Sequence, residues 1–126
     1  MTEQEIYSTI GEEGLARIVS GFYRQIPGDD LLGPLYPAQD LPGAEQRLRD
    51  FLIFRFGGSM KYVEERGHPR LRMRHAPFAI GQAARDRWMQ LMTQALKEAM
   101  LPEEIQSFFQ EFFGQVATFL MNRPGN

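Results

Sequence analysis

The stretch Gly67-His68-Pro69-Arg70-Leu71-Arg72-Met73-Arg74-His75-Ala76-Pro77-Phe78 decides how this 126-residue chain is read. It holds both histidines of the protein, and no acidic residue occurs from Arg66 to His75. Read by itself it is a solvated basic loop. Residues 59–76 show no clear periodicity, whereas nearly everything around them is spaced as helix. A long irregular connection inside a compact domain is uncommon and often functional, and something must order it. A bound ligand would do so.

Working outward, the upstream neighbour is a helical stripe of Ala44, Leu48, Phe51, Leu52 and Phe56, closed by Gly57-Gly58. Before it, residues 27–42 carry Pro27, Pro34, Pro37 and Pro42, which predicts a stiff connection with one short helical turn. Leu15, Ile18, Val19, Phe22 and Ile26 form the preceding stripe, stopped by Pro27-Gly28. Ile6 and Ile10 fit a short first helix ending near Gly11. Downstream, Ile80, Ala84, Trp88, Leu91, Met92 and Ala95 predict an amphipathic helix of roughly twenty residues. Pro102, followed by Glu103 and Glu104, opens a last helix. Its stripe is Ile105, Phe108, Phe109, Phe112, Val116, Phe119 and Leu120. No segment alternates as a strand does, so the expected fold is all-α with four main helices.

The length suits one domain over residues 1–126. Cysteine is absent, which excludes disulfides, thiolate metal sites and a cysteine nucleophile. A net charge of −2 argues against bulk nucleic-acid binding. No apolar run approaches the ~20 residues of a membrane span. The start, Met1-Thr2-Glu3-Gln4-Glu5, is unlike a signal peptide, and the expected location is the cytoplasm. There is no His-Glu-x-x-His, no pair of Glu-x-x-His motifs, no Gly-x-Ser-x-Gly and no phosphate-binding loop. Ten Phe, seven Met, four Tyr and one Trp supply either a Phe-rich core or a pocket for a large flat ligand. Twelve of the fourteen basic residues are arginine, whose planar fork suits carboxylates. A single histidine suffices as the protein's iron ligand when a porphyrin supplies the other four nitrogens.

Several stretches together carry a resemblance. They are Phe22-Tyr23, Leu35-Tyr36-Pro37, Gly43-Ala44-Glu45, Gly57-Gly58, the whole of 67–78, and Trp88 thirteen residues after His75. In this order and spacing the chain resembles the second group of truncated haemoglobins over nearly its full length. The resemblance implies a globin-like, shortened two-over-two helical sandwich with an irregular loop before the proximal histidine. It implies haem b (iron protoporphyrin IX) as cofactor and O2 as ligand, with CO and NO as further diatomic ligands. His75 would be the proximal iron ligand, its other ring nitrogen donating to a backbone carbonyl. Tyr23, Tyr36 and Trp88 would face the bound gas.

On the residues alone, other readings stand beside these roles. His75 also reads as a loop histidine, Trp88 as core, Tyr23 as a half-buried tyrosine and Tyr36 as a surface-turn tyrosine. The small Ala44 would leave polar contact to the two phenols and the indole. Leu48, Phe51, Phe78 and Met92 would be apolar haem contacts, though each fits an ordinary core. Arg47, Arg72, Arg66 or His68 would reach the propionates. A reductase is an implied partner, and Phe113 and Met100 are candidates for a homodimer contact. Two other functions remain open: a haem enzyme with peroxidase or nitric-oxide-detoxifying activity at the same site, and a haem-free helical interaction module.

Overall fold

The computed structural model describes residues 1–57, 60–67 and 69–123, without the side chains of Lys61 and Arg66. These residues form six α-helices and two 3-10 turns, with no strand among them. Helix α1 spans Glu3–Tyr23 and α2 spans Leu41–Arg55. Two short helices follow, α3 at Lys61–Arg66 and α4 at Leu71–His75. Helices α5, Gln82–Glu98, and α6, Glu103–Phe119, complete the chain.

Local chemistry explains where these helices begin and bend. Thr2 and Glu5 form a reciprocal capping box at the start of α1, with bonds of 3.1 and 2.9 Å. Within α1, Gly11 leaves helical geometry at φ 62°, a left-handed value that suits glycine. The expected short first helix is therefore present, joined to its successor across a kink. Asp40 accepts the Gly43 amide at 3.2 Å and caps α2, with proline in its first turn. Gly57, at φ 93°, follows the end of α2; Gly58 and Ser59 lie outside the described residues.

Helix α1 packs on α2 and α5, and α5 packs on α6. The buried side chains form one cluster, with Phe22, Phe109, Phe113, Leu52, Met92 and Leu96 among the largest. Phe56 from α2 meets Phe108, Phe109 and Phe112 of α6 at ring separations of 5.3–5.9 Å. Burying each such side chain contributes about 1.5–3 kcal/mol. The approach of α1 to α5 is set by size: a Cβ on Gly21 would lie 3.3 Å from the Ala95 Cβ and 3.4 Å from its Cα.

The structure departs from the sequence reading in four places. The proline-rich connection holds two 3-10 turns, Gly33–Leu35 and Ala38–Asp40, rather than one. Residues 59–76 contain α3 and α4, each too short to print a helical period on its sequence. Phe119 is 57% exposed although it continues the α6 stripe, because it sits at the last helical position. Phe113, a candidate for a surface contact, is instead buried between Phe109, Phe112 and Trp88. Met100 does stand exposed.

Replacing Gly21 with Val should force α1 from α5 and lower unfolding free energy by about 1–3 kcal/mol. Gly28→Ala, where a Cβ meets nothing within 4 Å, should change it by less than about 1 kcal/mol. Denaturant melts of both variants check the contrast; equal losses would reject the crossing as the tight point.

Candidate functional site

A cavity of about 460 Å³ lies between α2, α4, α5, α6 and the proline-rich connection. Its wall is mainly apolar. Helix α2 contributes Ala44, Arg47, Leu48 and Phe51. Helix α6 contributes Phe112, Val116, Ala117 and Leu120, one face of a helix at steps of four, one and three residues. Besides Arg47 and Arg85, the polar groups of the wall divide into two sets.

One set lies on α4. The chain enters this helix through Arg70, held in the left-handed region at φ 44°. Leu71, Arg74 and His75 then line the cavity, sharing a helix face at i, i+3 and i+4. The His75 Nδ1 lies 2.7 Å from the Leu71 carbonyl oxygen. A carbonyl can only accept, so Nδ1 carries the hydrogen and donates it. The neutral ring then keeps its lone pair on Nε2. This is the tautomer that a nitrogen ligand needs, fixed by a backbone partner. Among the described residues no group of three or more His, Asp or Glu side chains could hold a metal.

The other set comprises Tyr23 at the end of α1, Tyr36 in the proline-rich connection and Trp88 on α5. The Tyr23 and Tyr36 rings meet edge-on at 5.5 Å, and Phe22 packs against Tyr23, Tyr36 and Trp88 at 5.2–6.3 Å. Burial pushes the Tyr36 hydroxyl up to about 12, partly offset by the neighbouring Trp88 indole N–H. Burial raises Tyr23 further, and the neighbouring Tyr36 adds to it against the pull of Arg47. Both phenols are therefore neutral O–H donors across the physiological range.

The connection bearing Tyr36 is stapled to α5. Arg87, beside Trp88, donates to Asp29 at 2.7 Å and to Asp30 at 2.9 Å. The other Asp29 oxygen accepts the amides of Leu31 and Leu32 at 3.1 and 2.7 Å. Burial works against the Asp29 charge. The Leu32 amide, the Arg87 guanidinium and the Leu31 amide outweigh it and hold the carboxyl below the usual carboxylate range.

Nine of the residues singled out from sequence thus share this cavity: Tyr23, Tyr36, Ala44, Arg47, Leu48, Phe51, His75, Phe78 and Trp88. Met92 does not. It lies one turn beyond Trp88, about 6 Å further along the helix axis, and is fully buried in the core. Arg72 does not either. It stands a third of a turn from Leu71 on α4, and its guanidinium sits over the Phe119 ring at 5.8 Å. His68 and the Arg66 side chain lie outside the described residues.

The sequence reading missed two arginines of the cavity wall, Arg74 and Arg85. Arg74 was readable from its place three residues after Leu71 and next to His75. Arg85 donates to Thr118 and to the Gly114 carbonyl at 3.2 and 3.3 Å, which ties α5 to α6. Arg47 pairs with Asp40 at 3.4 Å.

The bacterial-like globin family model matches residues 5–122. Group 2 truncated hemoglobin YjbI of Bacillus subtilis is 39% identical over 102 residues, covering 81% of this chain and 76% of its own. The crystal structure of a hemoglobin from the thermophilic phototrophic bacterium Chloroflexus aurantiacus superposes with a TM-score of 0.88 at 47% identity, covering 94% of this chain and 98% of that one. A structure of a truncated oxygen-avid haemoglobin from Bacillus subtilis gives 0.86 at 36% identity, covering 93% and 98%. With its all-helical fold and, among the described residues, one histidine, two phenols and an indole lining one cavity, the chain belongs to the bacterial-like globin family, among the group 2 truncated haemoglobins.

Proposed function

We propose that this protein holds haem b in the cavity through His75 and reversibly binds O2, and likewise CO or NO, on the side of Tyr23, Tyr36 and Trp88. One observation carries the reading: an imidazole with Nδ1 committed to the Leu71 carbonyl lines the same, mainly apolar cavity as two neutral phenols and an indole. The residues fit the cofactor. Nε2 of His75 would offer the iron one nitrogen, Leu48, Phe51 and Phe112 would offer apolar walls, and Arg47 and Arg74 would offer cations for two carboxylates. When bound, haem iron supplies an open coordination position for a diatomic gas.

The chain's own residues would then act as follows. His75 anchors the cofactor from α4. Arg47 and Arg74 orient its carboxylates, each contributing about 0–1 kcal/mol where solvent screens them; burial of the macrocycle does the holding. Trp88 has a single hydrogen to donate, and each phenol has one that it can direct toward the other phenol or an electron-rich ligand. A neutral donor of this kind contributes about 0.5–1.5 kcal/mol. Two or three donors would slow ligand escape by about fivefold to a thousandfold, at ~1.4 kcal/mol per tenfold. The oxygen-avid haemoglobin among the similar structures favours O2 as the ligand, and slow release suits sensing, scavenging or redox work over bulk delivery. A reductase as electron source and a homodimer remain part of this reading.

Three outcomes test it. Haemin should bind one per chain and, after reduction and CO addition, give the spectrum of histidine-ligated haem; His75→Ala should lose it. A protein that binds no stoichiometric haem would reject the assignment. Trp88→Phe should raise the O2 dissociation rate about threefold to tenfold, from the loss of one donor. Because Trp88 and Tyr36 are neighbours packed on Phe22, adding Tyr36→Phe should change the rate by less than the product of the single effects; independent effects would separate their roles. The folded state favours neutral Tyr36, whose ionisation moves from 10.0 to about 12. Its contribution to stability is thus complete below pH 10 and withdrawn as pH rises through about 12. Tyr36→Phe should flatten the alkaline fall in stability, measured by denaturant melts; an unchanged slope would place its hydroxyl in water.

A further inference from the structure

Asn122 follows the last turn of α6 and reaches back to the turn after His75. Its amide N–H donates to the Ile80 carbonyl at 2.9 Å. The Ile80 N–H donates in return to Asn122 Oδ1 at 2.9 Å. Asn122 Nδ2 donates to the carbonyls of His75 at 3.2 Å and Phe78 at 2.8 Å. Only one orientation of the amide satisfies these three side-chain bonds, because Nδ2 faces two acceptors and Oδ1 faces a donor. The partners lie 42 to 47 positions earlier in the chain.

The His75 carbonyl belongs to the last turn of α4, where a helix leaves its carbonyls without internal partners. It accepts the Phe78 amide at 3.0 Å and the Asn122 side chain. Asn122 is therefore a C-terminal cap supplied from a distant part of the chain. Helix α4 has five residues, and its imidazole is bonded to its own first carbonyl. Ring and helix thus move as one piece, anchored at the His75 end by Asn122.

We propose that Asn122 is a positioning residue for His75: by capping α4 from α6, it sets the angle at which the imidazole enters the cavity. This rests on the reading of His75 as the axial ligand. Partners one step removed from a metal ligand alter affinity by about 10–100-fold when lost, and Asn122 holds the ligand's backbone in the same sense.

The test compares parent, Asn122→Ala, Asn122→Asp and His75→Ala. The readouts are the iron–histidine stretch of the ferrous protein, the rate of haem transfer to excess apomyoglobin, and amide exchange at Ile80. Asn122→Ala should displace the stretch and accelerate haem loss about tenfold or more. Asn122→Asp keeps the volume and the acceptor for Ile80 but loses both donors. It should leave Ile80 protected while shifting the stretch and haem loss as Ala does, and it serves alone should Ala fail to fold. A lower melting temperature with both haem readouts at parental values would overturn the proposal, showing that Asn122 only secures the chain end. His75→Ala separates the two readings: an iron–histidine signal that survives there removes the axial assignment, and the role of Asn122 with it. If that signal is lost while both Asn122 variants match the parent, only the role of Asn122 falls.

Discussion

A helix of five residues has too few internal hydrogen bonds to outweigh the ordering of its backbone. Helix α4 exists because its surroundings complete it, and the candidate site depends on that completion. Leu71, Arg74 and His75 reach the cavity only when these residues are helical. The bond from Nδ1 to the Leu71 carbonyl forms only within that turn, and it selects the tautomer. The left-handed Arg70 at one end and Asn122 at the other bound the helix.

The phenols and the indole of the cavity are positioned by different means. Tyr36 sits in a connection whose prolines restrict the backbone and whose start is tied to α5 through Asp29 and Arg87. Tyr23 comes from the end of α1, whose position follows from the close approach of Gly21 to Ala95. Trp88 comes from α5 itself. Three separate elements thus converge, and the aromatic contacts of Phe22 and Phe113 hold their rings in place. Burial makes the phenols reluctant to ionise, so these groups serve as hydrogen donors.

Charge is distributed unevenly over this frame. The chain is weakly acidic overall, yet the segment around His75 is rich in arginine and free of acids. Helical geometry divides these cations between two environments. Arg74 turns to the cavity wall, while Arg72 turns outward over Phe119. Arg85 is spent on α6, bonded to Thr118 and the Gly114 carbonyl.

The long helices were legible because each is long enough for a 3.6-residue period to appear in its apolar residues. The break near Gly11 and the helix stop at Gly57 were legible for local reasons, whereas the cap at Asp40 was not read from sequence. Tyr23, Tyr36, His75 and Trp88 were singled out through the order and spacing of short motifs. Composition and periodicity alone left each with an ordinary structural reading. Helices α3 and α4 were not legible, since a helix of one or two turns leaves no periodic trace. Nor was the division between Trp88, which lines the cavity, and Met92, which fills the core on the same helical stripe. The sequence by itself determined the helical class, the breaks and the chemical inventory, because these depend on residues within a few positions of one another. Only the tertiary structure decided which nitrogen of His75 is bonded, which arginine lines the cavity and that Asn122 caps α4. Those outcomes depend on backbone groups with no sequence signature, brought together from distant parts of the chain or presented by a helix too short to predict.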